Sequence, residues 1–262
     1  MSRRLTAALW AHTAITGLAG LLFFFLPGES AKLWPWPLPP LAARFMGSLF
    51  LGGAACSMAC LRGRRTEGLF VMVLLGVGNA LIALSGLFAI GAVGYTRSMI
   101  SFLVFFLGIA LSLAVVFLPE VGAKAAPQPG PIRRPLRAFF LVHLLVVLPV
   151  GLAMFLIPDW AQSYWPWKMA PVNVRFIGAF FFGAAFISVW ALRQRSEEVL
   201  IPVLVLYGVF ATLATVASLI HIGLFDPARL VTWAFFALYV FVAAGSWLFW
   251  WGLPSAGAWK DP

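Results

Sequence analysis

Eight long apolar stretches constrain this chain more than any other feature. They run approximately over 5–27, 44–61, 69–91, 99–118, 136–157, 175–192, 199–224 and 230–252. A hydrocarbon core about 30 Å thick is crossed by roughly 20 apolar residues in a helix. Inside it, backbone N–H and C=O groups must bond to one another, which leaves only helices and closed barrels. A barrel would show short strands of alternating polarity; continuous runs favour helices. Of the 262 residues 63% are hydrophobic and 10% charged, against about 25% charged in a soluble domain. That balance excludes a soluble enzyme, a disordered chain, a collagen and a disulfide-rich secreted domain. The expected fold class is all-α: a polytopic membrane protein with eight transmembrane helices.

The chain also repeats itself. Residues 27–69 align without a gap to 158–200 at a constant offset of 131, with 17 identities in 43 positions. They include Pro27/Pro158, Trp34/Trp165, Pro35/Pro166, Trp36/Trp167, Pro40/Pro171, Arg44/Arg175, Phe45/Phe176, Gly47/Gly178, Gly52/Gly183, Arg62/Arg193, Arg64/Arg195 and Glu67/Glu198, and the offset extends back to His12/His143. Such self-similarity is the signature of duplication. It divides the chain into a first four-helix repeat (1–118), a Pro-rich cytoplasmic linker (119–135) and a second four-helix repeat (136–262). An even number of spans per copy makes the copies parallel, related by a pseudo-two-fold axis along the membrane normal.

Basic residues set the topology. With the N-terminus inside, twelve Lys and Arg lie on the cytoplasmic side: Arg3, Arg4, Arg62, Arg64, Arg65, Lys124, Arg133, Arg134, Arg137, Arg193, Arg195 and Lys260. Six lie outside: Lys32, Arg44, Arg97, Lys168, Arg175 and Arg229. This bias places both termini in the cytoplasm. The net charge of +10 is therefore a topology signal, and no basic tract reads as a nucleic-acid site. The first apolar run resembles a signal peptide, but its recurrence at 133–157 makes it a retained helix. Thr66-Glu67 and Ser196-Glu197-Glu198 precede the third and seventh runs and read as N-caps with acidic first turns. Pro202 then falls in a first turn, and Pro149 predicts a kink. Cys56 and Cys60 read as small buried hydrophobes.

The most specific motif is the pair of Trp-Pro-Trp loops, Trp34-Pro35-Trp36 and Trp165-Pro166-Trp167. Each leads through Pro40 or Pro171 to an Arg-Phe-x-Gly helix start. Tryptophan favours the membrane interface, so the loops read as an anchoring girdle, or as a pocket or docking surface. Arg44 and Arg175 read as interfacial arginines bonded to loop carbonyls, or as a paired anion site for a lipid headgroup. Arg44, Arg175, Trp34, Trp36, Trp165 and Trp167 are thus the ligand or lipid-headgroup candidates. His12 and His143 sit at equal depth and read as hydrogen-bonded between helices, or as ligands of a haem or pigment at the pseudo-axis. His221, whose repeat mate is Ile90, reads as an interfacial or packing residue. Gly47, Gly52, Gly53, Gly76, Gly78, Gly86, Gly178 and Gly183 predict close helix approach, and Asn79 an interhelical bond.

No Asp, Glu or Lys lies mid-span, where ion-coupled transporters and pumps carry ionisable groups. No catalytic triad, nucleotide motif or metal-ligand spacing is visible. Three functional classes remain. The first is a non-catalytic membrane subunit or scaffold, packed against partner membrane proteins, lipid or pigment. The second is a transporter or channel for a neutral, hydrophobic or anionic substrate at the repeat interface. The third is a haem- or quinone-binding redox subunit. Bound lipid, haem or pigment are the cofactors these classes imply; membrane lipids and other membrane subunits are the partners.

The run LWPWPLPPLAARFMGSLFLG resembles a signature of bacterial polytopic integral membrane proteins with no assigned activity. It reads there as aromatic-Pro-Trp, then Thr-Pro, then Arg and Gly. Trp34, Pro35, Trp36, Pro40, Arg44 and Gly47 match, as do Trp165, Pro166, Trp167, Pro171, Arg175 and Gly178. The Thr is replaced by Pro39 in the first copy and Ala170 in the second. The resemblance implies a bacterial inner-membrane protein and brings no functional residue with it.

Overall fold

The computed structural model describes residues 1–63, 67–121 and 132–253. Arg64, Arg65, Lys124, Lys260, the Thr66 cap and most of the 119–135 linker lie outside them. The described residues form ten α-helices and no strand: α1 (Arg3–Phe25), α2 (Pro27–Leu33), α3 (Pro40–Gly63), α4 (Phe70–Val93), α5 (Arg97–Val121), α6 (Arg134–Leu156), α7 (Pro158–Tyr164), α8 (Pro171–Leu192), α9 (Ile201–Ile220) and α10 (Leu230–Trp251). Eight are long and apolar enough to cross a membrane. The chain is an integral membrane protein.

The two short helices are the departure from the apolar pattern. Leu26 and Ile157 each precede a proline, where the α conformation is disfavoured. Their backbones turn to φ −121°, ψ 57° and φ −127°, ψ 57°, ending α1 and α6. Pro27 and Pro158 then open α2 and α7, because a proline's missing N–H costs nothing in a first helical turn. The same rule corrects the start of α3 and α8. They begin at Pro40 and Pro171, so Arg44 and Arg175 stand in the second turn rather than at the helix start.

The other local signals have mixed outcomes. Neither α4 nor α9 has a side-chain cap. A short 3₁₀ turn leads into each, at Glu67–Leu69 and Glu198–Leu200, and Pro202 does fall in the first turn of α9. Glu197 instead accepts bonds from the backbone N–H of Arg133 at 2.6 Å and from its guanidinium Nε at 2.8 Å, since an arginine fork offers stronger, charge-assisted donors. The helix α6 continues through Pro149, which is exposed. Asn79 bonds within its own helix, Nδ2 to the Leu75 carbonyl at 2.7 Å, not across helices. Cys56 and Cys60 are buried free thiols.

Helix pairing explains how the centre is built. α1 packs along α3 and α6 along α8; α4 packs along α5 and α9 along α10; and α3 packs along α9 while α8 packs along α4. The last two contacts join one copy to the other. Glycines permit them: a Cβ on Gly52 would lie 3.0 Å from the Leu206 carbonyl oxygen, and one on Gly183 3.0 Å from Cα of Gly78. In lipid, packing of this kind rather than water exclusion drives helix association. Within the most apolar window of α3, α8 and α9, 67% of residues are buried, against 28% for α5 and α10. The core therefore lies around the former three, and the latter two turn most of their surface outward.

Candidate functional site

All four tryptophans of the Trp-Pro-Trp loops point inward; the most exposed, Trp34, shows 8% of its surface. The prolines that stop α2 and α7 turn the chain back over the bundle end, and aromatic residues from α5, α8 and α10 receive the rings. Trp34 meets Phe102 at 5.1 Å and Phe176 at 5.3 Å between centroids, both edge-on. Trp167 meets Phe225 at 5.1 Å and Phe235 at 5.3 Å. Edge-to-face pairs of this kind contribute roughly 0.5–1.5 kcal/mol each beyond area burial. Trp36 donates its indole N–H to Oδ1 of Asn173 at 2.8 Å, and Asn173 Nδ2 donates to the Pro37 carbonyl at 3.2 Å. Arg229 holds the other loop, donating to the carbonyls of Trp165 at 2.9 Å and Ser163 at 2.7 Å. The loops are clamps built into the core, and they present no ring face outward.

The two arginines diverge. Arg175 folds back, Nε donating to the Phe155 carbonyl at 3.0 Å, with its guanidinium carbon 4.9 Å from the centre of the Phe88 ring. Arg44 reaches instead to His221, Nη1 to Nε2 at 2.6 Å. Arginine can only donate, so Nε2 of His221 is the acceptor and its proton sits on Nδ1. His221 closes the C-terminus of α9. Its pKa lies below the ordinary histidine value, first because of burial and second because of the Arg44 charge. The first copy has Ile90 where the second has His221, so Arg175 has no equivalent partner available.

His12 and His143 are both buried between helices. Nδ1 of His12 lies 2.7 Å from the Ser57 hydroxyl, and Nδ1 of His143 lies 2.8 Å from that of Ser188. These serines are themselves repeat mates, 131 apart. The hydrogen bonds around them differ. Ser57 donates to the Gly53 carbonyl at 3.1 Å, so it accepts from His12, whose proton is on Nδ1. In the second copy the equivalent carbonyl, Ala184, is taken by the Tyr207 hydroxyl at 3.0 Å. Ser188 then has two acceptors in reach, Nδ1 of His143 at 2.8 Å and the Tyr207 hydroxyl at 3.5 Å. Donation along the shorter contact puts the His143 ring proton on Nε2. Tyr207 stands where the first copy has Gly76.

The two histidines line separate cavities that share Phe180 and Ala184. That of His12 holds about 50 Å³ and includes Thr16 and Asn79; that of His143 holds about 20 Å³ and includes Tyr207 and Tyr239. The Tyr239 hydroxyl is buried and has no hydrogen-bond partner among the described residues. A volume of ≳ 10–15 Å³ takes one water, whereas pockets for cofactor-sized molecules run to roughly 300–1,000 Å³. A haem or pigment ligated by His12 and His143 together does not fit this arrangement.

Sequence reasoning missed Asn173, Tyr207, Ser57, Ser188 and the Arg44–His221 contact. The serines carried a signal as an identical pair at the repeat offset. Asn173 and Tyr207 did not, since their mates are Ala42 and Gly76. Comparison of the chain with known protein families, with curated proteins and with solved structures finds no match in any of the three.

Proposed function

We propose that this chain is a non-catalytic integral membrane subunit or scaffold, formed by two parallel four-helix repeats, that packs against partner membrane proteins and lipid. The observation that carries this reading is the close packing between the copies, around a His12 cavity of about 50 Å³. Phe45 of α3 meets Phe210 of α9 edge-on at 5.3 Å and Tyr239 of α10 at 5.8 Å, while Gly52 and Gly183 seat backbone against backbone. A transport site at a repeat interface calls for two alternating arrangements around a substrate cavity. A contact packed with interlocking rings resists that movement. The outward faces, by contrast, carry large apolar side chains such as Leu111, Val115, Trp233 and Leu248, which suit lipid or the helices of another subunit. The excess of Lys and Arg at the end that bears the termini supports cytoplasmic termini in a bacterial inner membrane.

The test is native mass spectrometry of the full chain released gently from its own membrane. Other polypeptides at fixed stoichiometry are expected, and their identities supply the assembly. A lone chain of 28.5 kDa or a homo-oligomer overturns the subunit reading and favours transport.

A further inference from the structure

We propose that Arg44 and His221 together bind a phosphate group, from a lipid headgroup or a free anion, and that His221 takes up a proton as the phosphate binds. The inference goes beyond the subunit reading and does not depend on it. It starts from an imbalance of charge. Arg44 is half-buried and, among the described residues, the only hydrogen-bond partner of its guanidinium is a neutral imidazole. A guanidinium left without an anion in a partly desolvated place is costly. Its fork carries five N–H donors, and one is engaged.

The surroundings add no compensating charge. Asp226 and Arg229 follow in the turn after α9, but Asp226 Oδ1 accepts from the Ala228 N–H at 2.9 Å and Arg229 is held by the Ser163 and Trp165 carbonyls. Lys32 and Glu29 pair with each other at 2.8 Å. Among the described residues, Arg44 is the charged group that lowers the pKa of His221, after burial. Around the pair stand large exposed apolar side chains, Leu219, Ile220, Ile222 and Leu224, each more than half exposed. Cationic donors over an apolar collar match a phosphodiester over acyl chains. Arg175, folded onto Phe155 and Phe88, has no such neighbour.

The proton follows from the geometry. While Arg44 donates to Nε2, His221 cannot be protonated there. An anion drawing Arg44 away frees Nε2, and protonated His221 then offers a second charged donor to the same phosphate. Anion and proton are therefore linked: each strengthens the other's binding by the same factor.

The experiment follows the three histidines by ¹⁵N NMR in full-length protein in a phosphate-free detergent. His221 is assigned by loss of its signal in His221→Gln, and titrations are compared without additive, with phosphatidylglycerol, and with inorganic phosphate. Expected is a rise in the His221 midpoint of about one pH unit, equal to a tenfold coupling. A rise with phosphatidylglycerol alone identifies the lipid headgroup; a rise with inorganic phosphate as well identifies a general phosphate site. In Arg44→Gln the midpoint should start higher and no longer respond. An unchanged wild-type midpoint with both additives overturns the proposal, and this reading needs no variant to fold.

Discussion

Trp36 and Asn173 lie 137 positions apart and share a buried hydrogen bond of 2.8 Å. It ties the first Trp-Pro-Trp loop to a helix of the second copy, beside Phe176, which also packs on Trp34. The opposite loop has no such bond. Asn173 is matched in the first copy by Ala42, and the buried Trp167 indole N–H has no partner among the described residues. The duplicated loops have thus kept their aromatic packing and diverged in their polar contacts.

Asn173→Ala should destabilise the protein by about 2 kcal/mol, because a buried indole N–H loses its acceptor and cannot reach water. Trp36→Phe removes the donor instead. In a double-mutant cycle the pair should couple by about 1 kcal/mol, read from unfolding midpoints in detergent. Additive effects would mean that the bond contributes nothing.

The two buried histidines should report opposite tautomers. His12 donates from Nδ1 to Ser57, whereas Ser188 should donate along its 2.8 Å contact to Nδ1 of His143 rather than its 3.5 Å contact to Tyr207, whose own proton goes to the Ala184 carbonyl. In ¹⁵N spectra the protonated ring nitrogen should be Nδ1 for His12 and Nε2 for His143. Tyr207→Phe frees the Ala184 carbonyl, and His143 should then adopt the pattern of His12. Identical tautomers in the wild-type protein would remove this account of the divergence.

How much of this was legible follows from what repeats and what is long. The eight spans could be read because a run such as 69–91 must be a helix in lipid. The contact of His12 with α3 was open to inference, since both His12 and Ser57 recur 131 residues later. The helices α2 and α7 escaped because seven residues carry no usable periodicity, although Pro27 and Pro158 marked their first turns. The cap at Ser196 was plausible by local chemistry, but Glu197 found a stronger donor in Arg133, which lies 64 positions away. Asn173, Tyr207 and His221 act through partners 19 to 177 positions distant. No local pattern encodes such contacts.

Two glycine substitutions should have opposite signs. A Cβ on Gly47 would sit 2.5 Å from the backbone nitrogen of Phe24, while one on Gly91 meets nothing within 4 Å. Alanine is the better helix former by about 1 kcal/mol, and Gly91→Ala should gain some of that. At Gly47 the added methyl forces α1 off α3, and overpacking of this kind costs roughly 1–3 kcal/mol. Gly178→Ala, 2.5 Å from Phe155 N, should behave like Gly47→Ala. Thermal unfolding of the three variants decides it, and equal midpoints would show that the helices accommodate the methyl.

Acid should weaken the end of the bundle that holds His221. In the folded protein its pKa lies below the ordinary histidine value, through burial and then through Arg44. The unfolded chain titrates near 6.5. Between the two values the unfolded state binds more protons, so stability rises with pH across that window. The contribution is complete above about pH 6.5 and is lost as pH falls toward the folded pKa. His221→Phe removes this dependence together with the bond from Arg44, which is worth about 1 kcal/mol, or roughly 2–4 °C in a chain of this size. In phosphate-free detergent the wild-type midpoint should therefore exceed that of the variant at pH 8, and the two curves should converge as pH falls below 6.5. Curves that stay parallel down to pH 5 would show that His221 titrates alike in both states, and that Arg44 does not hold it neutral.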